Sequence, residues 1–154
     1  MIVLDGPRGL QDAVGTELGV SPWVQISQAE VDAFADLTGD HQWIHVDVAR
    51  AKASRFGGTI VHGYLTLSLL PRLQHEIYRI DGFEFGLNYG LNRVRFPAPV
   101  PVGGSIRLHV ALDEVRDVPG GLQGVMTATF EIAGSDKPGC VAEQVFRVYG
   151  PAVT

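Results

Sequence analysis

The sequence predicts an α+β fold in which helices come early and an antiparallel sheet follows them. The segment 27–38 carries apolar residues at helical spacing, among them Val31 and Phe34. A second segment, 60–73, is apolar on nearly every side, which is typical of a buried helix. From Phe83 onward the apolar residues recur at every second position, as they do in β-strands. One curved sheet wrapped around one buried helix would account for this order.

Composition and charge predict a single globular domain spanning residues 1–154. Hydrophobic residues make up 45% of the chain and charged residues 19%, which is ordinary for a protein with a buried core. A net charge of −5 and the lack of a basic run argue against nucleic-acid binding. The one cysteine, Cys140, excludes an intrachain disulfide framework and a cysteine-rich zinc site. We find no signal peptide and no run approaching the ~20 apolar residues of a membrane span, so we expect a cytoplasmic protein without membrane contact.

The N-terminal part is predicted to contain an arm, a short strand and a helix start. Residues 1–15 show no clear period, and we interpret them as a lead-in arm. The apolar residues of 17–26 predict an edge strand that Pro22 limits. Ser27 and Glu30 have the spacing of a capping box, in which each side chain binds the backbone amide of the other residue. A helix is therefore expected to begin just after Ser27.

This helix is expected to end at Gly39, since glycine readily takes the left-handed conformation that closes a helix. Asp40 and His45 follow in a segment that we predict as a loop. The helix dipole does not favour the charge of Asp40, so another group must hold it, and His45 is the nearest candidate. Asp47 is predicted to cap a short helix that runs to about Ala53.

The buried helix and the strands complete the prediction. Pro71 lacks the N–H that would bind the preceding turn, so we expect a kink or break there, after which the helix resumes for a turn or two toward Tyr78. The segment 83–96 is predicted as a long strand bent at Gly86 or Gly90. Three further alternating runs, joined by short turns, predict an antiparallel meander. They lie at 106–112, 125–132 and 141–148.

Three motifs resemble those of a known enzyme family. The first is Asp40-x-x-x-x-His45, directly after a glycine. The second is the sequence FGGTIVHG at 56–63, and the third is RFPAPVPVG at 95–103. Together they resemble the MaoC-like, R-specific enoyl-CoA hydratase family, and the resemblance covers roughly residues 20–148.

The resemblance implies a hot-dog fold, in which an antiparallel sheet wraps a long central helix and two copies usually form a homodimer. It also implies syn addition of water to a trans-2-enoyl thioester, giving an (R)-3-hydroxyacyl thioester. The acyl carrier would be coenzyme A or acyl carrier protein, and no other cofactor is expected. The catalytic aspartate of the family falls on Asp40, the catalytic histidine on His45, and the backbone amide that binds the thioester oxygen on Gly63.

One departure concerns the residues between the acid and the histidine. The family usually has Asn-Pro where this chain has Gln42-Trp43. Gln42 keeps an amide that can support the loop by hydrogen bonding, and the spacing of Asp40 and His45 is retained. Gln-Trp loops of this kind resemble a nodulation-protein-N-like branch of the family. The serine that some members use falls nearest to Ser68.

Other functions would make different demands on these residues. A thioesterase on the same fold would need a carboxylate or serine directed at the carbonyl carbon. A non-catalytic acyl-thioester-binding module would not need Asp40, His45 and Gly63 together. His41 and His45 have a spacing that could bind metal on a helix, but Gly39 and the loop that follows argue against one. We therefore expect no metal, and we assign Asp40 as the main base and His45 as the group that orients the attacking water.

Overall fold

The computed structural model describes residues 1–150, which form six helices and eight strands. The helices are α1 (Gly6–Asp12), α2 (Gln28–Thr38), α3 (Trp43–Val46), α4 (Val48–Lys52), α5 (Gly63–Ser68) and α6 (Leu70–Gln74). The strands are β1 (Ile2–Asp5), β2 (Thr16–Val20), β3 (Val24–Gln25), β4 (Tyr78–Asp81), β5 (Phe85–Arg95), β6 (Ser105–Val118), β7 (Gly121–Ile132) and β8 (Cys140–Tyr149).

A six-stranded antiparallel sheet forms the main layer of the fold. Strands β6, β7 and β8 form the predicted meander, with Ile106 opposite Ile132 and Met126 opposite Gln144. Strand β5 continues the sheet beyond β8, while β2 and β3 both pair with β6 at the other edge. The α+β prediction with an antiparallel sheet is therefore confirmed.

The buried helix packs on this sheet as two short helices in series. Helix α5 contacts β8, and α6 contacts β6. Leu65, Leu70 and Leu73 are buried in the core between the layers. The break falls at Leu69, directly before the helical turn that contains Pro71, which confirms the predicted break. The expected continuation toward Tyr78 is wrong, because α6 ends at Gln74 and Tyr78 already belongs to β4.

Helix α2 begins and ends as its sequence predicts. Ser27 Oγ accepts a hydrogen bond from the Glu30 amide at 3.3 Å, and Glu30 Oε2 accepts one from the Ser27 amide at 2.8 Å. The bond from the Ser27 amide, and a second from the Ser27 hydroxyl at 2.9 Å, lower the pKa of the Glu30 carboxyl. Gly39 closes the helix with a φ of 78° and donates its amide to the Ala35 carbonyl. Asp47 caps α4 by accepting from the Arg50 amide, which also agrees with the prediction.

The N-terminal residues differ from the prediction. Instead of an irregular arm they form β1 and α1, and β1 pairs in parallel with β4. This pairing joins Ile2 to Tyr78, too far along the chain for a local pattern to reveal it. The predicted strand at 17–26 is divided into β2 and β3. Ser21 lies between these two strands, directly before Pro22. Its hydroxyl oxygen, rather than its carbonyl, accepts a hydrogen bond from the Leu108 amide.

Strand β5 lies at a free edge of the sheet and is exposed along nearly its whole length. Its register with β8 shifts between Asn88 and Gly90, so the predicted bend occurs at Gly90, whereas Gly86 is paired regularly with Val148. None of the helices within residues 1–150 has the length and apolarity that crossing a membrane requires.

Candidate active site

The ends of three helices meet around one cavity. Asp40 follows the last turn of α2, His45 lies on α3, and His62 immediately precedes α5. One side-chain nitrogen or oxygen atom from each of these three residues lies within 4.8 Å of the other two. The cavity measures about 450 Å³, and we call it the Asp–His cavity. It is lined by Phe34, Thr38, Asp40, His45, His62, Gly63, Tyr64 and Phe96.

His45 is buried and has a defined tautomer. Its Nδ1 lies 2.7 Å from the carbonyl oxygen of Ile60, so Nδ1 carries the proton and donates it to that oxygen. Nε2 of the neutral ring is then left with a lone pair that can accept a proton. Burial lowers the pKa of His45; the hydrogen bond to Ile60 and the charge of Asp40 oppose this shift, and the neighbouring His62 adds to it. The ring is therefore neutral near pH 7, with the Nε2 lone pair available as an acceptor.

The segment that we predicted as a loop contains the single turn of α3, which holds His45 in place. A side chain that the sequence did not single out, Gln28, fixes this turn from outside the cavity. Its Nε2 donates to the His45 carbonyl at 2.8 Å, and its Oε1 accepts from the Thr59 hydroxyl at 2.6 Å. Gln28 therefore links the start of α2 to α3 and to Thr59, which follows Gly57 and Gly58.

Asp40 is exposed and held differently from our expectation. Its Oδ1 accepts a 3.4 Å hydrogen bond from the backbone amide of Gln42, and no direct bond to His45 is present within residues 1–150. His45 uses Nδ1 on Ile60, so only Nε2 remains to face the carboxylate. A carboxylate oxygen of Asp40 and a ring nitrogen of His45 lie at most 4.8 Å apart. This leaves room for one water molecule that hydrogen-bonds to each at about 2.8 Å.

Gly63 is the first residue of α5, and its amide is among those that a helix start leaves without an intrahelical acceptor. The ring of Phe96 lies directly against it. A Cβ added at Gly63 would meet ring carbons of Phe96 at 3.0 to 3.1 Å. Glycine thus allows the close approach of this ring, and Gly63 lines the same cavity as Asp40 and His45.

A protein-family model described as a MaoC like domain matches residues 10–132 of this chain. The chain belongs to the MaoC-like domain family. The resemblance carried by the three sequence motifs is therefore confirmed. A relative from Mycobacterium tuberculosis, 3-hydroxyacyl-thioester dehydratase Z, is 55% identical over 148 residues, which cover 96% of this chain and 98% of that protein.

Two further MaoC-like comparisons agree. Nodulation protein N from Rhizobium leguminosarum bv. viciae is 43% identical over 136 residues, covering 86% of this chain and 84% of that protein. The solved structure of the (R)-hydratase from A. caviae involved in PHA biosynthesis superposes with a TM-score of 0.66 at 25% identity, covering 86% of this chain and 94% of that one. The chain thus has the hot-dog fold of its family, and the nodulation-protein-N-like resemblance is confirmed.

His62 is the residue of this MaoC-like site that sequence reasoning missed. The sequence drew attention to it only as the neighbour of Gly63 at a helix start. In the structure it is 3% exposed, and its ring stacks on His45 with 3.8 Å between ring centroids. The signal available in the sequence was a histidine directly before the predicted buried helix that carries Gly63.

Asp40, His45 and His62 are also residue types that can bind a metal ion. Two stacked imidazoles, inclined by only 23°, hold their lone pairs in nearly parallel planes, which do not converge on one tetrahedral ion. This arrangement suits a water molecule better than zinc, and the expectation that the protein needs no metal stays a prediction.

Replacing Gly63 by alanine is expected to lower kcat/KM for a thioester substrate by about 10- to 100-fold. The new methyl group would displace Phe96 or move the amide, because the ring leaves it only 3.0 Å. Steady-state kinetics measures the loss. Gly58→Ala is the matched control, since nothing lies within 4 Å of its added Cβ. Wild-type kinetics in Gly63→Ala would contradict the need for glycine against the Phe96 ring.

Proposed function

We propose that this MaoC-like protein is a hydro-lyase that adds water to trans-2-enoyl thioesters and removes it from (R)-3-hydroxyacyl thioesters. The observation that carries the proposal is the Asp–His cavity, where a carboxylate, a neutral imidazole and a helix-start amide face one space. Two names support it: the 55% identical relative is called a 3-hydroxyacyl-thioester dehydratase, and the A. caviae protein an (R)-hydratase.

The proposed chemistry assigns one task to each group. Asp40 takes a proton from the water bound between it and His45, and His45 Nε2 orients that water. The water oxygen bonds to C3 while the C2=C3 electrons move toward the thioester oxygen. The Gly63 amide stabilises the resulting negative charge, and a single such donor is worth about 10²–10³-fold in rate. The proton then returns to C2 from the same face, which makes the addition syn.

A second cavity of about 300 Å³ would take the acyl chain. It shares His45, Gly63 and Phe96 with the Asp–His cavity, so the two cavities adjoin. Its remaining lining is largely apolar and consists of Phe56, Ile60, Val61, Thr66, Ala98, Pro99, Val100 and Gly139. The carrier is coenzyme A or acyl carrier protein, and the reaction requires no further cofactor.

The thioesterase alternative gains no support from the site. Ser68, the serine nearest to the position that some family members use, is exposed and donates its hydroxyl to the Tyr64 carbonyl at 2.6 Å. Incubation with trans-2-enoyl-CoA separates the two reactions. A hydratase removes the conjugated absorbance without releasing thiol, whereas thiol release with intact conjugation would overturn the proposal.

We further propose that two copies associate through β5. This 11-residue strand pairs only with β8, so its outer edge carries unpaired backbone groups. Phe85, Leu87, Tyr89 and Leu91 expose 44% to 56% of their surface along it. A long apolar edge strand is a ready template for pairing with another chain, and association with a second copy would cover it.

Leu87→Asp is therefore expected to reduce the mass in solution from twice 16.6 kDa to 16.6 kDa, because it places charge in the paired strands. Light scattering coupled to gel filtration measures this. The control Leu37→Asp changes an 84% exposed leucine on α2 and should leave the mass unchanged. A monomeric wild type, or a dimeric Leu87→Asp, would refute the β5 interface.

A further inference from the structure

His62 is buried and contacts both proposed catalytic residues, Asp40 and His45. Its Nε2 lies 3.0 Å from the backbone carbonyl oxygen of Asp40, and its ring stacks on His45 with 3.8 Å between centroids. Phe34 packs on it with 5.1 Å between ring centroids. No other side chain in the described part of the chain touches the two residues in this way through one polar and one stacking contact.

These contacts define the tautomer of His62. A carbonyl oxygen only accepts, so Nε2 carries the proton that is donated to Asp40. Nδ1 of the neutral ring then holds a lone pair, and this atom is buried without a hydrogen-bond partner among residues 1–150. Buried polar atoms are normally paired. Among residues 1–150 the ring of His62 is therefore held by hydrogen bonding through Nε2 alone.

We propose that His62 is a positioning residue that fixes the direction of Asp40 and the ring plane of His45. This inference rests on the proposed hydratase function. The donated hydrogen bond holds the Asp40 carbonyl after the turn at Gly39, and so sets where the adjoining carboxylate projects. The stacked ring restricts rotation of His45, whose other anchor is the single bond to Ile60.

The contacts of His62 also act on the charge of His45. The titratable groups that influence His45 are Asp40, whose negative charge raises its pKa, and His62, which lowers it. Burial, the larger cause, is unaffected by an uncharged replacement of similar size. A protonated imidazole at 62 would oppose protonation of His45, and an uncharged side chain there cannot. Removing the imidazole should therefore raise the pKa of His45, and the acid limb of the pH–rate profile should move to higher pH.

Two variants separate the contacts. Glutamine can place an amide N–H near the position of Nε2, so His62→Gln keeps the donor and loses the ring. His62→Leu loses both. We expect kcat in His62→Leu to fall about 10- to 100-fold with a smaller change in KM, since a misplaced catalytic group costs this much. His62→Gln should regain most of this kcat while both variants shift the acid limb upward.

The decisive experiment joins kinetics with a measurement that needs no substrate. Histidine NMR titration follows His45 in the wild type and in His62→Gln, and we expect a higher midpoint in the variant. If both variants keep wild-type kcat and the midpoint does not move, His62 is a packing residue and the inference is overturned. Equal loss of kcat in both variants would refute the donor role. If the leucine variant fails to fold, the glutamine variant alone decides through its kcat and midpoint.

Failure of the proposed hydratase function is recognised separately. It would appear as a wild type that does not hydrate enoyl thioesters, and the NMR titration would still report whether His62 controls the protonation of His45. A wild type that hydrates substrate, together with an unchanged His45 midpoint and unchanged variant kinetics, would overturn only the role of His62.

Discussion

Asp40→Asn is expected to lower kcat for enoyl-thioester hydration by about 10²–10⁴-fold, the usual contribution of a general base. Asparagine keeps an oxygen that can accept from the Gln42 amide, the contact that Asp40 makes at 3.4 Å. Because Asp40 is exposed, the substitution should leave the melting temperature nearly unchanged. Stopped-flow or steady-state loss of the conjugated absorbance measures the effect.

Asp36→Asn is the matched control for this variant. Asp36 is an exposed aspartate on α2 that contacts His41 rather than the Asp–His cavity. It should keep wild-type kcat. If Asp40→Asn retained more than about a tenth of wild-type turnover, the role of Asp40 as main base would be wrong.

His45→Asn is expected to cause a loss of similar size, about 10²–10⁴-fold in kcat. Its amide N–H can still donate to the Ile60 carbonyl, which His45 Nδ1 binds at 2.7 Å, but nothing replaces the lone pair of Nε2. The pH profile gives a second readout. The neutral imidazole is the active form, and burial lowers its pKa, so wild-type activity should fall only as pH drops through that lowered value.

The residual activity of His45→Asn should lack this imidazole-dependent acid limb. His41→Asn serves as its control, because His41 is exposed and its hydrogen bond to Asp36 raises its pKa, the opposite direction to His45. A His41 variant that reproduced the loss, or a His45 variant with wild-type kinetics, would contradict the assignment of the imidazole.

Features set by neighbouring residues were predictable from the sequence. The capping box of Ser27 and Glu30 and the left-handed Gly39 depend on backbone and side chains a few positions apart, so their patterns are sufficient. The meander of β6 to β8 followed from alternation and short turns. The helix end at Gly39 places Asp40 directly after α2, as its position in the sequence predicted.

Features set by distant contacts were not predictable. The parallel pairing of Ile2 with Tyr78 depends on where the chain places two four-residue segments, and neither is long enough to show a period. The stacking of His62 on His45 likewise exists only after α3 and α5 have docked. We expected His45 to hydrogen-bond to Asp40 directly. It does not, because its Nδ1–H donates to the carbonyl oxygen of Ile60, fifteen residues further along the chain.

The central claim is tested most directly by hydrating a trans-2-enoyl-CoA in D₂O with the wild-type protein. The product would be examined by NMR and by chiral analysis at C3. Addition by the Asp40–His45 pair predicts a single (R)-3-hydroxyacyl product, with oxygen and deuterium added to the same face. An (S) or racemic product, addition to opposite faces, or release of free thiol would contradict the account.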